Sequence, residues 1–339
     1  MRKALPQTVA DLGEKNLLRD VLLPLVNPTK NPDLAGDDCG IFDVQDGHFV
    51  CASTDRVPWD LTAYRLGMMS EYQLGYYLAV LNLSDIAATG ATPAGLLLNL
   101  ALPATLPVAT LTDIVAGVLG ASSEFDTPIL GGDLSDAPQP SLVATSLGVG
   151  KRGQQLRRGG AVPGDLVYIT GLCGLGAAAL RYFSVASSSG GHLVAKDDEN
   201  LLRSALIHPQ PQLRLGQALA RSGVRTTAMD NTDGLSQSLS ELAEINTLHY
   251  AVQESALPLH PLVRRVADLL QQDPVELAMG PGADFHLVGT ISDVGVAARM
   301  GLRIFGHVEP GAGVSITAAG GRRQLTPRGW NYFHAEGPT

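Results

Sequence analysis

The sequence predicts a two-domain α/β chain in which helices lie over largely antiparallel sheets, and three observations lead there. The chain has 339 residues, more than one hydrophobic core usually serves. Short apolar runs of strand character alternate with longer segments of helical spacing in both halves. A basic, polar stretch bearing Gly and Pro, residues 151–164 (KRGQQLRRGGAVPG), divides the halves, so the expected units are residues 1–150 and 151–339. With 45% hydrophobic and 17% charged residues, the composition is globular.

Residues 8–25 set Leu and Val at helical spacing among Asp11, Glu14, Lys15, Arg19 and Asp20, which predicts an amphipathic helix ended by Pro24 and the polar segment after it. Asp37 and Asp38 open the strand GIFDV, and a Gln-Asp-Gly turn leads into HFVCAST. This hairpin has an aspartate at each outer end and should bring Asp38 near Asp55. Residues 56–70 read as loop. Residues 71–89 form a helix that carries Asn82, Ser84 and Asp85 near its C-terminal end and stops at Gly90 and Pro93. An apolar strand LLLNLAL follows, then a helix over 111–125 with Asp113 in its first turn. A short strand next delivers Gly131-Gly132-Asp133, and a further strand covers 142–150.

The second half opens with a strand over 165–170, the glycine loop 171–176, and a helix through Tyr182. Residues 184–191 read as a mobile loop. Helices are expected at 199–206 and 212–222, broken by His-Pro-Gln-Pro, and later at 234–245, 262–271 and 293–300. Strands are expected at 226–229, 285–290 and 314–317.

Charge and composition narrow the function. The balance of 33 acidic against 24 basic residues gives −9, with no long basic run and 5% aromatics, so nucleic-acid binding is not expected. The N-terminal residues lack a signal-peptide apolar run, and the most apolar stretch, AGLLLNLALP, is too short to span a bilayer, so no membrane role and a cytoplasmic location are expected. Cys39, Cys51 and Cys173 form no CxxC pair and read as small buried hydrophobes.

Five apolar segments end in acidic motifs: Asp37-Asp38, Ser53-Thr54-Asp55, Ser84-Asp85, Gly132-Asp133 and Asp230-Asn231-Thr232-Asp233. Any one of them is explained as well by a turn or a helix cap. Asp85 is harder to explain, because an unpaired carboxylate among Leu81, Leu83, Ile86 and Ala87 costs several kcal/mol to bury, roughly. Mg²⁺ takes oxygen ligands, one or two carboxylates per ion plus phosphate oxygens, so five converging motifs point to magnesium and a nucleoside triphosphate. The loop Gly171–Gly176 could cradle an anion with its amides or serve only close packing. It lacks the Lys-Ser/Thr of a P-loop and the Rossmann spacing. Lys151, Arg152, Arg157 and Arg158 could attract phosphates or form a solvated linker. No H-E-x-x-H or G-x-S-x-G motif is present.

Taken together, GDDCGIFDV, STDRV, LNLSDIAATGATPAGLLLNLALP, GGDLSDAP, GDLVYITG and AMDNTDGL resemble the thiamine-monophosphate kinase family, within the superfamily of aminoimidazole ribonucleotide synthetase. The resemblance runs in order from about Asp11 to Phe333. It implies an aminoimidazole ribonucleotide synthetase-like fold, with an N-terminal mixed α/β domain that dimerises through its sheet and a C-terminal α+β domain. It also implies an ATP-dependent phosphotransferase with ATP and several Mg²⁺ bound among the acidic motifs, acting on thiamine monophosphate or a related small-molecule acceptor. Carried over by position, Asp38, Ser53, Thr54, Asp55, Asp85, Asp133, Asp230 and Asp233 match metal ligands, with Asp85, Asp133 and Asp230 expected to be catalytic. Gly132, Asp133 and Thr232 match the nucleotide site, Gln154 stands where the family places an ATP-contacting arginine, and Trp330 keeps the aromatic character of a substrate contact. Ala283 replaces a substrate-contacting glutamate, and the histidine after the Ser-Thr-Asp motif has no counterpart. These departures imply a changed acceptor with the metal ligands kept. Two alternatives stand beside the kinase: an enzyme that activates an amide or carbonyl oxygen by phosphorylation, and a nucleotide-binding homologue without catalysis.

Overall fold

The computed structural model describes residues 8–31, 33–189 and 193–329. The chain begins with α1 (Val9–Leu17), which runs through a π-helical turn (Leu18–Leu22) into α2 (Leu23–Val26). Pro24 does not end this segment. It sits just after the π-helical turn, inside one continuous helical segment. The hairpin forms as expected, with β1 (Gly40–Asp43) antiparallel to β2 (His48–Val57) and Gly40 opposite Ala52. β2 runs past the expected end because all ten of its residues pair with the later strand β5, and the short helix α3 (Thr62–Arg65) replaces part of the expected loop.

The helix α4 (Glu71–Thr89) has the bounds the sequence indicates. Ser70 and Gln73 form a capping box at its start, and Gly90, with φ 73°, adopts the left-handed conformation that closes it. Fourteen of its nineteen residues are buried, so this helix is enclosed by protein rather than lying on a surface. Next come β3 (Thr92–Leu102), α5 (Val108–Glu124), β4 (Ile129–Asp136) and β5 (Ser141–Lys151). Because α5 begins right after Pro107, Asp113 lies in its second turn, not its first. The five strands make one sheet in the order β1-β2-β5-β3-β4, antiparallel except for the β3–β4 pair.

The remaining elements are β6 (Leu166–Ile169), α6 (Leu175–Ser189), α7 (Lys196–Ile207), α8 (Leu213–Ala220), β7 (Met229–Asp230), α9 (Leu235–Asn246), β8 (His249–Gln253), α10 (Pro261–Leu270), α11 (Pro274–Met279), β9 (Leu287–Ile291), α12 (Val294–Arg299), β10 (Arg303–Glu309), β11 (Gly313–Ala318) and β12 (Gly321–Gln324). Their strands form a seven-stranded sheet, β12-β11-β8-β10-β6-β9-β7, antiparallel except for β11–β8. The expected loop at 184–191 is helical through Ser189. Ser184 and Ser187 donate to the carbonyls of Leu180 and Phe183, which satisfies their hydroxyls within the helix, while residues 190 and 191 lie outside the described residues. Among the described residues no helix is long and apolar enough to cross a membrane.

The two sheets share apolar packing. Ile86 and Ala87 of α4 belong to the same buried cluster as Leu213, Leu219 and Leu287. Close helix contacts hold α4 in place: a Cβ on Gly117 of α5 would stand 1.8 Å from the Tyr72 carbonyl oxygen, and one on Gly75 would stand 1.9 Å from that of Ile114. We expect Gly117→Val to lower unfolding free energy by about 3 kcal/mol or more, because backbone would have to move to admit the side chain. Urea denaturation measures this, and a loss below about 1 kcal/mol would show that the two helices separate easily.

Candidate active site

Four chain segments meet at the C-terminal half of α4. Asp38 stands just before β1, Ser53 and Asp55 alternate on one face of β2, Asp85 projects from α4, and Asp230 ends β7. One carboxylate oxygen from each of Asp38, Asp85 and Asp230 lies within 4.8 Å of the others, and all three residues are buried. Ser53 Oγ donates to Asp85 at 2.6 Å, and the Asp55 amide donates to Asn82 Oδ1 at 3.1 Å, so β2 is latched to α4 at the site. Around this centre a cleft of about 720 Å³ is also lined by Asp37, Asp55, Thr232 and Asp233.

The electrostatics follow from crowding like charges away from water. Burial, reinforced by Asp55 and Asp230, holds the Asp85 carboxyl well above the usual carboxylate range. Burial and the Asp38 charge push Asp230 up to about 8 and Asp37 up to about 6, and burial pushes Asp55 up to about 6. Arg158 is the nearby counter-charge. Its Nη2 lies 2.6 Å from Asp38, and although burial opposes its charge, Asp38 and Glu241 keep the guanidinium protonated. The second Asp38 oxygen is buried and has no hydrogen-bond partner. An orphaned carboxylate oxygen among three converging acids fits a hard divalent cation, which would supply the missing positive charge through oxygen ligands.

The structure separates other expected site residues from this centre. Thr54 faces away from it, because alternate residues of a strand point to opposite faces. Its hydroxyl donates to the Ala144 carbonyl and accepts from Thr145. Gly132 and Asp133 lie on the exposed edge strand β4, with Asp133 opposite Asn99 of β3. Gln154 is exposed beside Lys151 and Arg221 in a separate recess, and of the basic residues in the 151–164 stretch it is Arg158 that lines the cleft, together with Arg19 and Arg56 from the first half. Trp330 lies outside the described residues. The glycine loop does hold an anion, but an internal one: the Asp284 carboxylate accepts from the amides of Gly174 at 2.6 Å and Gly176 at 2.9 Å. Sequence reasoning also missed Lys15, whose ammonium bridges Asp233 at 2.9 Å and Glu241 at 2.7 Å. Its only sequence signal is a cation on the polar face of the first helix.

A paired-sheet fold with a buried acidic centre at one helix end defines the class of aminoimidazole ribonucleotide synthetase-related proteins, and the family model for the AIR synthase related protein N-terminal domain matches residues 36–150. Thiamine-monophosphate kinase of Synechococcus elongatus is 30% identical over 84% of this chain and 84% of its own length, and that of Pyrococcus abyssi is 29% identical over 88% and 90%. The chain belongs to the thiamine-monophosphate kinase family. Its fold matches the structure of AaThiL complexed with AMPPCP and TMP at a TM-score of 0.84, covering 97% of this chain and 100% of that one at 22% identity. The family and fold inferred from the sequence are therefore borne out.

Carboxyls raised above their unfolded value of about 3.9 bind extra protons in the folded state, so the metal-free protein gains this stability at low pH and loses it as pH rises toward about 8. We expect the metal-free melting temperature to fall between pH 5 and pH 8, and millimolar Mg²⁺ to raise it more at pH 8 than at pH 5. Thermal melts with and without chelator check this, and an equal Mg²⁺ effect at both pH values would contradict it.

Proposed function

We propose that this chain transfers the γ-phosphoryl group of ATP to thiamine monophosphate or a related small-molecule acceptor, the activity for which its relatives are named. The convergence of Asp38, Asp85 and Asp230 within 4.8 Å carries this reading. Phosphoryl transfer needs positioning and charge neutralisation more than covalent help from the protein. In this reading Asp38, Asp55, Asp85, Asp230 and Asp233 hold Mg²⁺, which when bound offsets charge on the phosphates. Ser53 orients Asp85 through its hydroxyl, and Arg158 and Thr232 lie where phosphates would pass. A phosphate-oxygen acceptor is already a nucleophile, so no dedicated base is needed. The acceptor would occupy the part of the cleft lined by Leu61, Tyr77, Leu180 and Ala283.

We propose further that residues 1–150 form a dimerising unit. The face of the first sheet that carries Thr54 and Asp133 is uncovered, with Leu97 beside Thr145 in the same row as Thr54. Leu97 on β3 and Leu130 on β4 are exposed on this side, an apolar area suited to a second copy of this chain. Such pairing would bury Thr54 and Asp133, which a single chain leaves at the surface.

We expect Asp85→Asn to reduce ADP release with Mg²⁺, ATP and thiamine monophosphate by at least about 100-fold. The same change should leave the metal-free melting temperature unchanged or raised, since the amide takes the place of a buried carboxyl whose ionised form its surroundings disfavour. Activity near that of the parent chain would overturn the assignment. Light scattering tests the second proposal: the parent chain should have twice the chain mass and Leu97→Asp should not, and a monomeric parent would refute it.

A further inference from the structure

Lys15 reaches the cleft from outside both sheets. It lies on α1, two residues after Gly13, whose φ of 71° and ψ of 167° break the helical path. Its ammonium contacts Asp233 at 2.9 Å and Glu241 at 2.7 Å, and its side chain is only 28% exposed. On the far side of Glu241, Arg158 Nη1 lies at 3.4 Å, and the same guanidinium holds Asp38. Asp233, Lys15, Glu241, Arg158 and Asp38 therefore form an unbroken alternation of charge along one wall of the cleft. A lysine on an outlying helix ordinarily extends into water, which preserves its hydration and rotamer freedom. Here two carboxylates hold it inward.

Asp233 cannot serve the ammonium and a divalent ion equally well. When an ion takes that carboxylate, one N–H of Lys15 loses its acceptor while Glu241 still tethers the head group. The anion that accompanies the ion is then the nearest replacement partner, and a lysine ammonium suits phosphate as a compact point charge. We propose that Lys15 is a nucleotide-phosphate ligand, stored against Asp233 and Glu241 and transferred to phosphate when Asp233 turns to the metal. This rests on the nucleotide-site reading given above.

The test is calorimetric titration of the full chain with a non-hydrolysable ATP analogue in Mg²⁺, and separately with Mg²⁺ alone. Lys15→Met should weaken analogue binding about tenfold, the scale of one charge-assisted contact. Lys15→Arg should stay within about threefold of the parent chain, and Mg²⁺ alone should bind Lys15→Met as tightly as the parent or more tightly, since a tethered competitor is gone. Unchanged analogue affinity in Lys15→Met would overturn the proposal. So would an equal loss of Mg²⁺ affinity, which would show that Lys15 acts only by shaping the acidic site. Failure of the parent chain itself to bind the analogue would instead strike the nucleotide-site reading on which the proposal stands.

Discussion

Three buried carboxylates with oxygens within 4.8 Å of one another cannot all remain ionised unless positive charge comes among them. The surrounding structure bears the marks of that constraint. Arg158 neutralises one oxygen of Asp38, Ser53 donates to Asp85, and the other Asp38 oxygen is left without a partner. The three carboxylates come from three different segments and Ser53 from a fourth, so the site exists only when β1, β2, α4 and β7 are assembled. Stability is given up at the centre and recovered in the apolar packing around α4.

Much of this was legible because it is local. The helix α4 announces itself by Ser70, by Gln73 three residues later and by Gly90, and its bounds match the expectation. Asp85 stood out because a charge interrupts an apolar run. The hairpin was readable from its turn and its alternation. β12, by contrast, was not: Gly321–Gln324 contains no apolar residue and forms only because β11 offers an edge to pair with. β10 carries Gly306 and His307 inside its run, which blurs the strand pattern.

Long-range pairings escaped for a different reason. Lys15 and Asp233 are 218 positions apart, and the tether between them depends on how the first helix lies across the second half of the chain. Arg158 was one of four basic residues in a linker, and only the fold distinguishes it from Arg152, which pairs with Asp33 at the surface. Thr54 and Asp133 carry the right residue types at positions that match the family, yet strand alternation turns Thr54 to the other face and edge placement leaves Asp133 in the open. A motif specifies which residues are present, and register decides which of them share a surface.

The engagement of Gly174 and Gly176 by Asp284 has a consequence for how any phosphate could be gripped. In many nucleotide-binding proteins, a glycine loop at a helix start supplies amides to the phosphates directly. Here those amides are already occupied by a side chain of the protein. The loop is a rivet between the start of α6 and the segment before β9, and its Gly174 and Gly176 amides are not free to grip a phosphate. If the acidic centre holds divalent ions as proposed, nucleotide occupancy should track the ion supply as well as the nucleotide itself.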